Sequence, residues 1–292
     1  MLNYLYKENP GRFTGRKAGA MQRTGAIGAA MLLLWLCVRF LGAYLPGDAA
    51  VFGVQVVAAL APFLLLLPLS REERGDGKIA LSAPTGRAWA HLWLLPLFLL
   101  TVMLVSMLAA AFAGLFGISS PSPTGSFPIL FLNYALAPAF AEEFFFRFLL
   151  LRLFLPYGKK TAVWVTAILF SLVHMNLAQI PYALVGGLFL GAVAASSESF
   201  WLPFLFHLTN NALSLLLSRA GEIAPLAVIG ALALVAALIL RFRSPIRSDD
   251  PERTAAAAFL PDKPTGANLR SFGTTLLILP ALLCIVLTFL PL

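Results

Sequence analysis

The chain has 292 residues, 60% of them hydrophobic and 12% charged, against roughly 45–50% apolar and about 25% charged in a soluble domain. So few charges cannot clothe cores this greasy in water, which excludes a water-soluble globule, a disordered chain and a nucleic-acid-binding arm. A polytopic membrane protein remains, because runs of about 20 apolar residues span a hydrocarbon core about 30 Å thick.

In chain order the sequence shows nine apolar segments, at roughly 26–46, 50–69, 89–116, 128–155, 161–178, 181–197, 200–218, 223–240 and 273–290. They predict an all-α bundle of eight to nine transmembrane helices. A basic tail, 1–25, precedes them; 26–127 hold the N-terminal membrane helices, 128–218 a central helical core, and 219–292 the C-terminal helices with a basic loop at 241–272. Breakers separate the segments: Pro46-Gly47-Asp48, the charged run Arg71 to Lys78, the Ser/Pro-rich Ser119 to Gly125, and Pro156-Tyr157-Gly158. The third and fourth segments exceed a simple span and are expected to tilt or to lie partly at the interface. The first is too long for a signal-peptide core, and no small-x-small cleavage site follows it at Tyr44-Leu45-Pro46, so it reads as a helix. No internal repeat is evident by eye, which disfavours inverted-repeat transporters.

The net charge of +8 reports orientation. With the N-terminus in the cytoplasm, that side collects Lys7, Arg12, Arg16, Lys17 and Arg23; Arg71, Arg74, Lys78 and Arg87; Lys159 and Lys160; and Arg241, Arg243, Arg247, Arg253, Lys263 and Arg270. The other side holds Arg219 alone. The positive-inside rule is met, and no excess of charge is left to recruit a nucleic acid. Arg152 can snorkel to the cytoplasmic interface; Arg39 sits deeper, where it either snorkels outward or meets a partner. Cys37 and Cys284 lie in apolar runs far apart, with no disulfide or metal spacing, and read as packing residues.

Polar residues inside the segments concentrate in three of them. The fourth reads Ala141-Glu142-Glu143-Phe144-Phe145-Phe146-Arg147, three charges near mid-span. Charge at that depth is costly enough to mark function, the alternative being that all three only staple helices together. Glu143 and Arg147 stand at i, i+4 with the acid first, the better order for an ion pair. Glu142 points about 100° away, without that partner, and is the carboxylate suited to act as a general base. The fifth segment carries Phe170-Ser171-Leu172-Val173-His174, and the seventh carries His207-Leu208-Thr209-Asn210-Asn211, with His207 and Asn211 on one face. Two donors on one face can hold an oxyanion; each residue taken singly could equally be a hydrogen-bonded packing group.

The ordered set Glu-Glu-x3-Arg, Phe-x3-His and His-x3-Asn on successive membrane helices resembles the CAAX protease and bacteriocin-processing (CPBP) family of intramembrane proteases, which includes type II prenyl-protein endopeptidases. The likeness covers roughly 128–218. It implies hydrolysis of a peptide bond in a membrane-associated protein or peptide. By that resemblance Glu142 and His174 activate water, His207 and Asn211 stabilise the oxyanion, and Glu143 and Arg147 support them.

Metal dependence is a fork. Glu142, His174 and His207 make a conceivable zinc ligand set with an open position for water, a metalloendopeptidase. Against zinc, the helix lacks His-Glu-x2-His, and a ligand His207 would deprive Asn211 of its partner, so a metal-free glutamate mechanism without cofactor is preferred. Other classes stay open: a transporter or channel also places ionisable groups at mid-depth, and a non-catalytic chaperone or immunity scaffold would tolerate loss of Glu142.

Two features serve architecture and setting. Gly187, Gly191 and Ala195 form a small-x3-small stripe expected to admit a close neighbour and to bring the fifth and seventh helices together. The Pro-rich basic loop is expected to be solvated and to touch anionic headgroups. High Ala, Leu, Gly and Arg usage hints at a bacterial plasma-membrane protein, which disfavours a prenylated substrate.

Overall fold

The computed structural model describes residues 10–42, 44–45, 47–64, 79–84, 86–117, 124–176, 178–220 and 223–242. The ninth apolar segment and nearly all of the basic loop lie outside the described residues. Eight principal helices correspond to the first eight segments: α1 (Pro10–Gly42), α2 (Asp48–Leu64), α3 (Leu92–Gly114), α4 (Phe127–Phe154), α5 (Lys159–Leu172), α6 (Ile180–Ser197), α7 (Trp201–Leu217) and α8 (Ile223–Phe242). Among the described residues the only strand-like pairing is one isolated bridge, Ala80 to Ser199. The helix breaks fall at the breakers: Gly47 (φ 90°) and Gly158 (φ 119°) take left-handed conformations that make the reversals between α1 and α2 and between α4 and α5.

Among the described residues four helical stretches are long and apolar enough to cross a membrane: Arg23–Gly42, Leu92–Gly114, Phe127–Phe154 and Ile180–Ser197. Uniform spanning helices are therefore not what the described residues show. α5 has 14 residues, about 21 Å at 1.5 Å per residue against a core of about 30 Å. It stops at Leu172, and His174 lies in the turn beyond it, not within a helix as its spacing suggested. Non-helical backbone at such depth is tolerated only where it borders protein or a polar cavity, and this turn borders one. α1, conversely, starts inside the expected basic tail, at Pro10.

α4 is the central helix. In its most apolar window 61% of the residues are buried, against 28% for α3. It is wound more widely over Phe131–Leu136 and Phe144–Leu151, two π-helical stretches on either side of Pro138 and the two glutamates. A proline in a helix interior removes one backbone hydrogen bond, and π-turns are a usual way to absorb such a break. The second stretch turns Phe145 and Phe146 into the core, where Trp35 of α1 stacks on Phe145 and meets Phe146 edge-on, both at 5.6 Å between ring centroids.

α6 packs most closely on α5, through the expected stripe. A Cβ placed on Gly187 would lie 3.2 Å from Cα of Ala167 and 3.1 Å from the Phe170 ring, and one on Gly191 would lie 3.3 Å from Val163. α6 also packs on α7, and Phe170 meets His207 edge-on at 5.9 Å, so the fifth and seventh helices do converge. Cys37 differs from expectation: it is exposed on α1 and packs no core, because that helix turns Trp35 and Leu36 inward instead.

Long-range contacts define the two ends of the bundle. At one end Asn133 donates to Asp48 at 3.4 Å, and Arg219 donates to the Gly125 carbonyl at 2.6 Å. At the other, Trp201 Nε1 donates to the Leu81 carbonyl at 2.7 Å, and His91 Nε2 accepts from Ser196 at 3.1 Å. His91 Nδ1 contacts the Ala88 carbonyl, so this histidine fastens the connection before α3 to the last turn of α6.

Gly187→Val should lower stability by about 1–3 kcal/mol through overpacking against backbone, whereas Gly230→Ala, which meets no atom within 4 Å, should not. Thermal denaturation of the two variants in detergent compares them directly.

Candidate active site

Glu142, His174, His207 and Asn211 line one cavity of about 330 Å³. Glu142 comes from the middle of α4, His174 from the turn after α5, and His207 and Asn211 from one face of α7. The sequence-derived set is therefore brought together from three elements spread over about 70 residues of chain.

The supporting pair is more deeply buried than the groups it supports. Arg147 Nη1 lies 2.9 Å from Glu143 Oε1, with both side chains essentially inaccessible. That contact lies off the N–H direction, since Nη1 makes no aligned hydrogen bond, so charge rather than hydrogen-bond geometry holds it. Arg147 Nη2 donates to the Gly187 carbonyl at 3.3 Å, and its guanidinium lies 4.4 Å over the Phe170 ring. The same Glu143 Oε1 lies 2.8 Å from His207 Nδ1. A carboxylate paired with arginine accepts, so Nδ1 carries the proton and Nε2 is turned to Glu142, 4.0 Å from its Oε2. Arg147, Glu143 and His207 thus form a chain that ends at the cavity.

His174 is oriented in a parallel way. Its Nδ1 lies 2.7 Å from the Phe170 carbonyl, and a carbonyl only accepts, so the proton is on Nδ1 and the Nε2 lone pair is left available. The Phe-x3-His spacing now has a physical reason. Phe170 supplies this carbonyl, while its ring touches Phe146, His174 and His207 at centroid separations of 5.2, 4.9 and 5.9 Å and supports Arg147. On α7, Asn210 Nδ2 donates to Asn211 Oδ1 at 3.3 Å, which leaves the Asn211 amide as a donor.

Sequence reasoning missed one part of the site. Arg39, left between snorkelling and an unseen partner, lies 3.9 Å from Glu142 Oε1. Its Nη1 donates to Gln55 Oε1 at 2.6 Å, and its guanidinium sits 5.0 Å from the Trp35 ring. Arg39 and Gln55 both line the cavity. The available signal was Gln55 itself, an amide in the otherwise apolar second segment. Arg152 lies against the Phe148 ring at 5.5 Å, outside the site.

As a zinc site the residues fit poorly. Two donors each about 2.0–2.1 Å from a tetrahedral zinc stand about 3.3 Å apart, whereas Glu142 Oε2 and His207 Nε2 are 4.0 Å apart. Among the described residues no three His, Cys, Asp or Glu side chains gather as a metal-binding group.

Residues 124–213 match the family model described as Type II CAAX prenyl endopeptidase Rce1-like. The matched stretch runs from just before α4 to within α7 and contains every catalytic and supporting residue expected from the sequence, while Arg39 and Gln55 fall outside it. The resemblance seen in the motifs is borne out over that stretch. No curated protein and no solved structure matches the chain.

Arg147→Ala strands the buried Glu143 carboxylate and should cost about 3–5 kcal/mol. Arg147→Lys, which keeps the charge but not the planar fork, should cost less; thermal unfolding in detergent orders the two.

Proposed function

We propose that the protein is an intramembrane endopeptidase that hydrolyses a peptide bond of a membrane-associated protein or peptide with a glutamate-activated water. One observation carries the reading: Glu142, His174, His207 and Asn211 line a single cavity within the stretch that matches the endopeptidase family.

In this reading water binds between the Glu142 carboxylate and the Nε2 lone pair of His174. Glu142 takes the proton as the hydroxide attacks the scissile carbonyl carbon. The oxyanion forms against the Asn211 amide and His207 Nε2–H. For that role the His207 ring carries both protons, Nδ1–H donating to Glu143, and a cation so placed needs the carboxylates that flank it, at 2.8 and 4.0 Å. Collapse of the tetrahedral intermediate breaks the C–N bond, and Glu142 returns its proton to the leaving amine. Water is consumed, and a carboxyl and an amino terminus are released, so protons balance.

Arg39 acts as a positioning residue. It holds Glu142 Oε1 while Oε2 faces His207, and Gln55 together with the Trp35 ring fixes the guanidinium. No step is assigned to a metal, since Glu142 Oε2 and His207 Nε2 stand farther apart than two ligands of one tetrahedral zinc.

Glu142→Gln and His174→Ala should each abolish cleavage while membrane abundance stays at the wild-type level. The readout is a comparison of wild-type and Glu142→Gln membranes for proteins or peptides that persist uncleaved; an identical profile would sink the enzymatic reading in favour of a scaffold. Asn211→Ala should lower kcat by about 10²–10³-fold, the range for loss of one oxyanion donor. Chelator treatment followed by metal analysis should leave cleavage intact, and stoichiometric zinc whose removal ends activity would overturn the glutamate mechanism.

A further inference from the structure

The two halves of the bundle are built differently. Toward the end marked by Trp201, His91 and Lys159, the space between helices is filled by side chains with almost no exposure, among them Phe145, Phe146, Leu150, Leu151, Phe154 and Phe200. Toward the end marked by Asp48, Gly125 and Arg219, it is hollow. The catalytic cavity is joined there by a second one of about 550 Å³, and the two share Val102, Tyr134, Gln179, Tyr182, Asn210 and Asn211.

The linings of both cavities come from the same end. Arg39 lies in the last turn of α1, Val51 in the first turn of α2, Tyr182 in the first turn of α6, Leu217 closes α7, and Pro225 lies in the first turn of α8. Among the described residues no lining group comes from the first or last turn at the opposite end. The second lining holds no charged residue and combines Met103, Met107 and Leu215 with Ser106, Ser214 and Ser218.

The basic residues mark the filled end. Arg12, Arg16 and Lys17 lie in the first turns of α1, Arg71, Arg74 and Lys78 in the connection from α2 to α3, Lys159 and Lys160 at the start of α5, and Arg241 at the end of α8. At the hollow end the connections carry Arg219 alone, and this residue is engaged with Gly125 and the Phe127 ring. Basic connections stay in the cytoplasm.

We infer that the catalytic cavity opens toward the non-cytoplasmic face of the membrane, so that the substrate is an uncharged stretch of a membrane-associated chain presented on that face rather than a cytoplasmic tail. The inference rests on the protease reading for the word substrate, but the direction of opening stands on the placement of cavities and charges. The neutral second cavity extends from the Asn210–Asn211 side of the site and receives the chain flanking the scissile bond, with serine, asparagine and glutamine groups for its backbone and methionine and leucine for apolar side chains. Water reaches Glu142 by the same route, and products leave on the non-cytoplasmic side.

Two measurements test this. Single cysteines at Ser106→Cys and Ser214→Cys in the hollow end and at Lys159→Cys in the filled end, in a chain lacking Cys37 and Cys284, are exposed to a membrane-impermeant maleimide in right-side-out and inverted bacterial membrane vesicles. The first two should label in right-side-out vesicles and lose labelling in inverted ones, and Lys159→Cys should do the reverse; the opposite pattern overturns the inference. The second uses the unmodified chain: cleavage sites that persist in Glu142→Gln membranes should map to non-cytoplasmic segments. Sites in cytoplasmic segments would overturn the direction of opening while leaving the protease reading standing. Outward labelling with no persisting substrate would overturn the protease reading, and with it the substrate class, while leaving the direction of opening standing.

Discussion

The site depends on one buried carboxylate. Glu143 is inaccessible to solvent, and a lone ion there would be strongly destabilising. It is tolerated because Arg147 lies one turn on and because the carboxylate also accepts from His207. Each contact restrains another element. Arg147 reaches across to the Gly187 carbonyl of α6 and rests on Phe170 of α5, while His207 belongs to α7. The ion pair is thus less a source of stability, which buried pairs seldom are, than a fixed point from which three helices take their register. Glu143 Oε2 and Arg147 Nε have no protein partner, which shows how far apolar packing governs this centre.

Close helix approach is the second requirement. Arg147 donates to the Gly187 carbonyl of α6, and α5 and α6 come together over Ala167 and Val163 because Gly187 and Gly191 carry no side chains. The small-residue stripe and the charged motif, which look unrelated in the sequence, are two halves of one device. Without the stripe Phe170 would be displaced, and with it the carbonyl that sets the His174 tautomer and the ring that supports Arg147 and faces both histidines. In a bilayer, where lipid offers no hydrophobic drive for helices to associate, close packing and interhelical polar contacts of this kind replace it.

How much of this was legible follows from what each residue type must satisfy. Scarce charge in an apolar chain has to be explained locally, so Glu142, Glu143 and Arg147 could be located and their pairing derived from helical spacing. His207 and Asn211 followed from the same periodicity. The turn that carries His174 was not legible: its apolar run continues past Leu172, and nothing local tells a 14-residue helix from a full span when neighbours rather than lipid surround it. The π-helical winding of α4 was hidden for a similar reason, since it depends on how Pro138 is accommodated. Arg39 escaped because its partners lie 16 and 103 residues away in sequence, a distance over which spacing arguments carry no information.

The placement of Arg39 and Gln55 bears on how the catalytic stretch relates to the rest of the chain. Helices α4 to α7 supply the groups proposed to activate water and hold the oxyanion, but the Glu142 carboxylate is met on its other side by Arg39 of α1, which Gln55 of α2 holds. α1 is itself anchored to α4 by Trp35 on Phe145 and Phe146. A rigid aromatic contact therefore fixes the height of Arg39 relative to Glu142. Because Arg39 and Gln55 line the same cavity as Glu142, the N-terminal helices are part of the site's wall although they lie outside the matched stretch. The same helices form one wall of the cavity, so the residues that hold Glu142 also bound the space beside it.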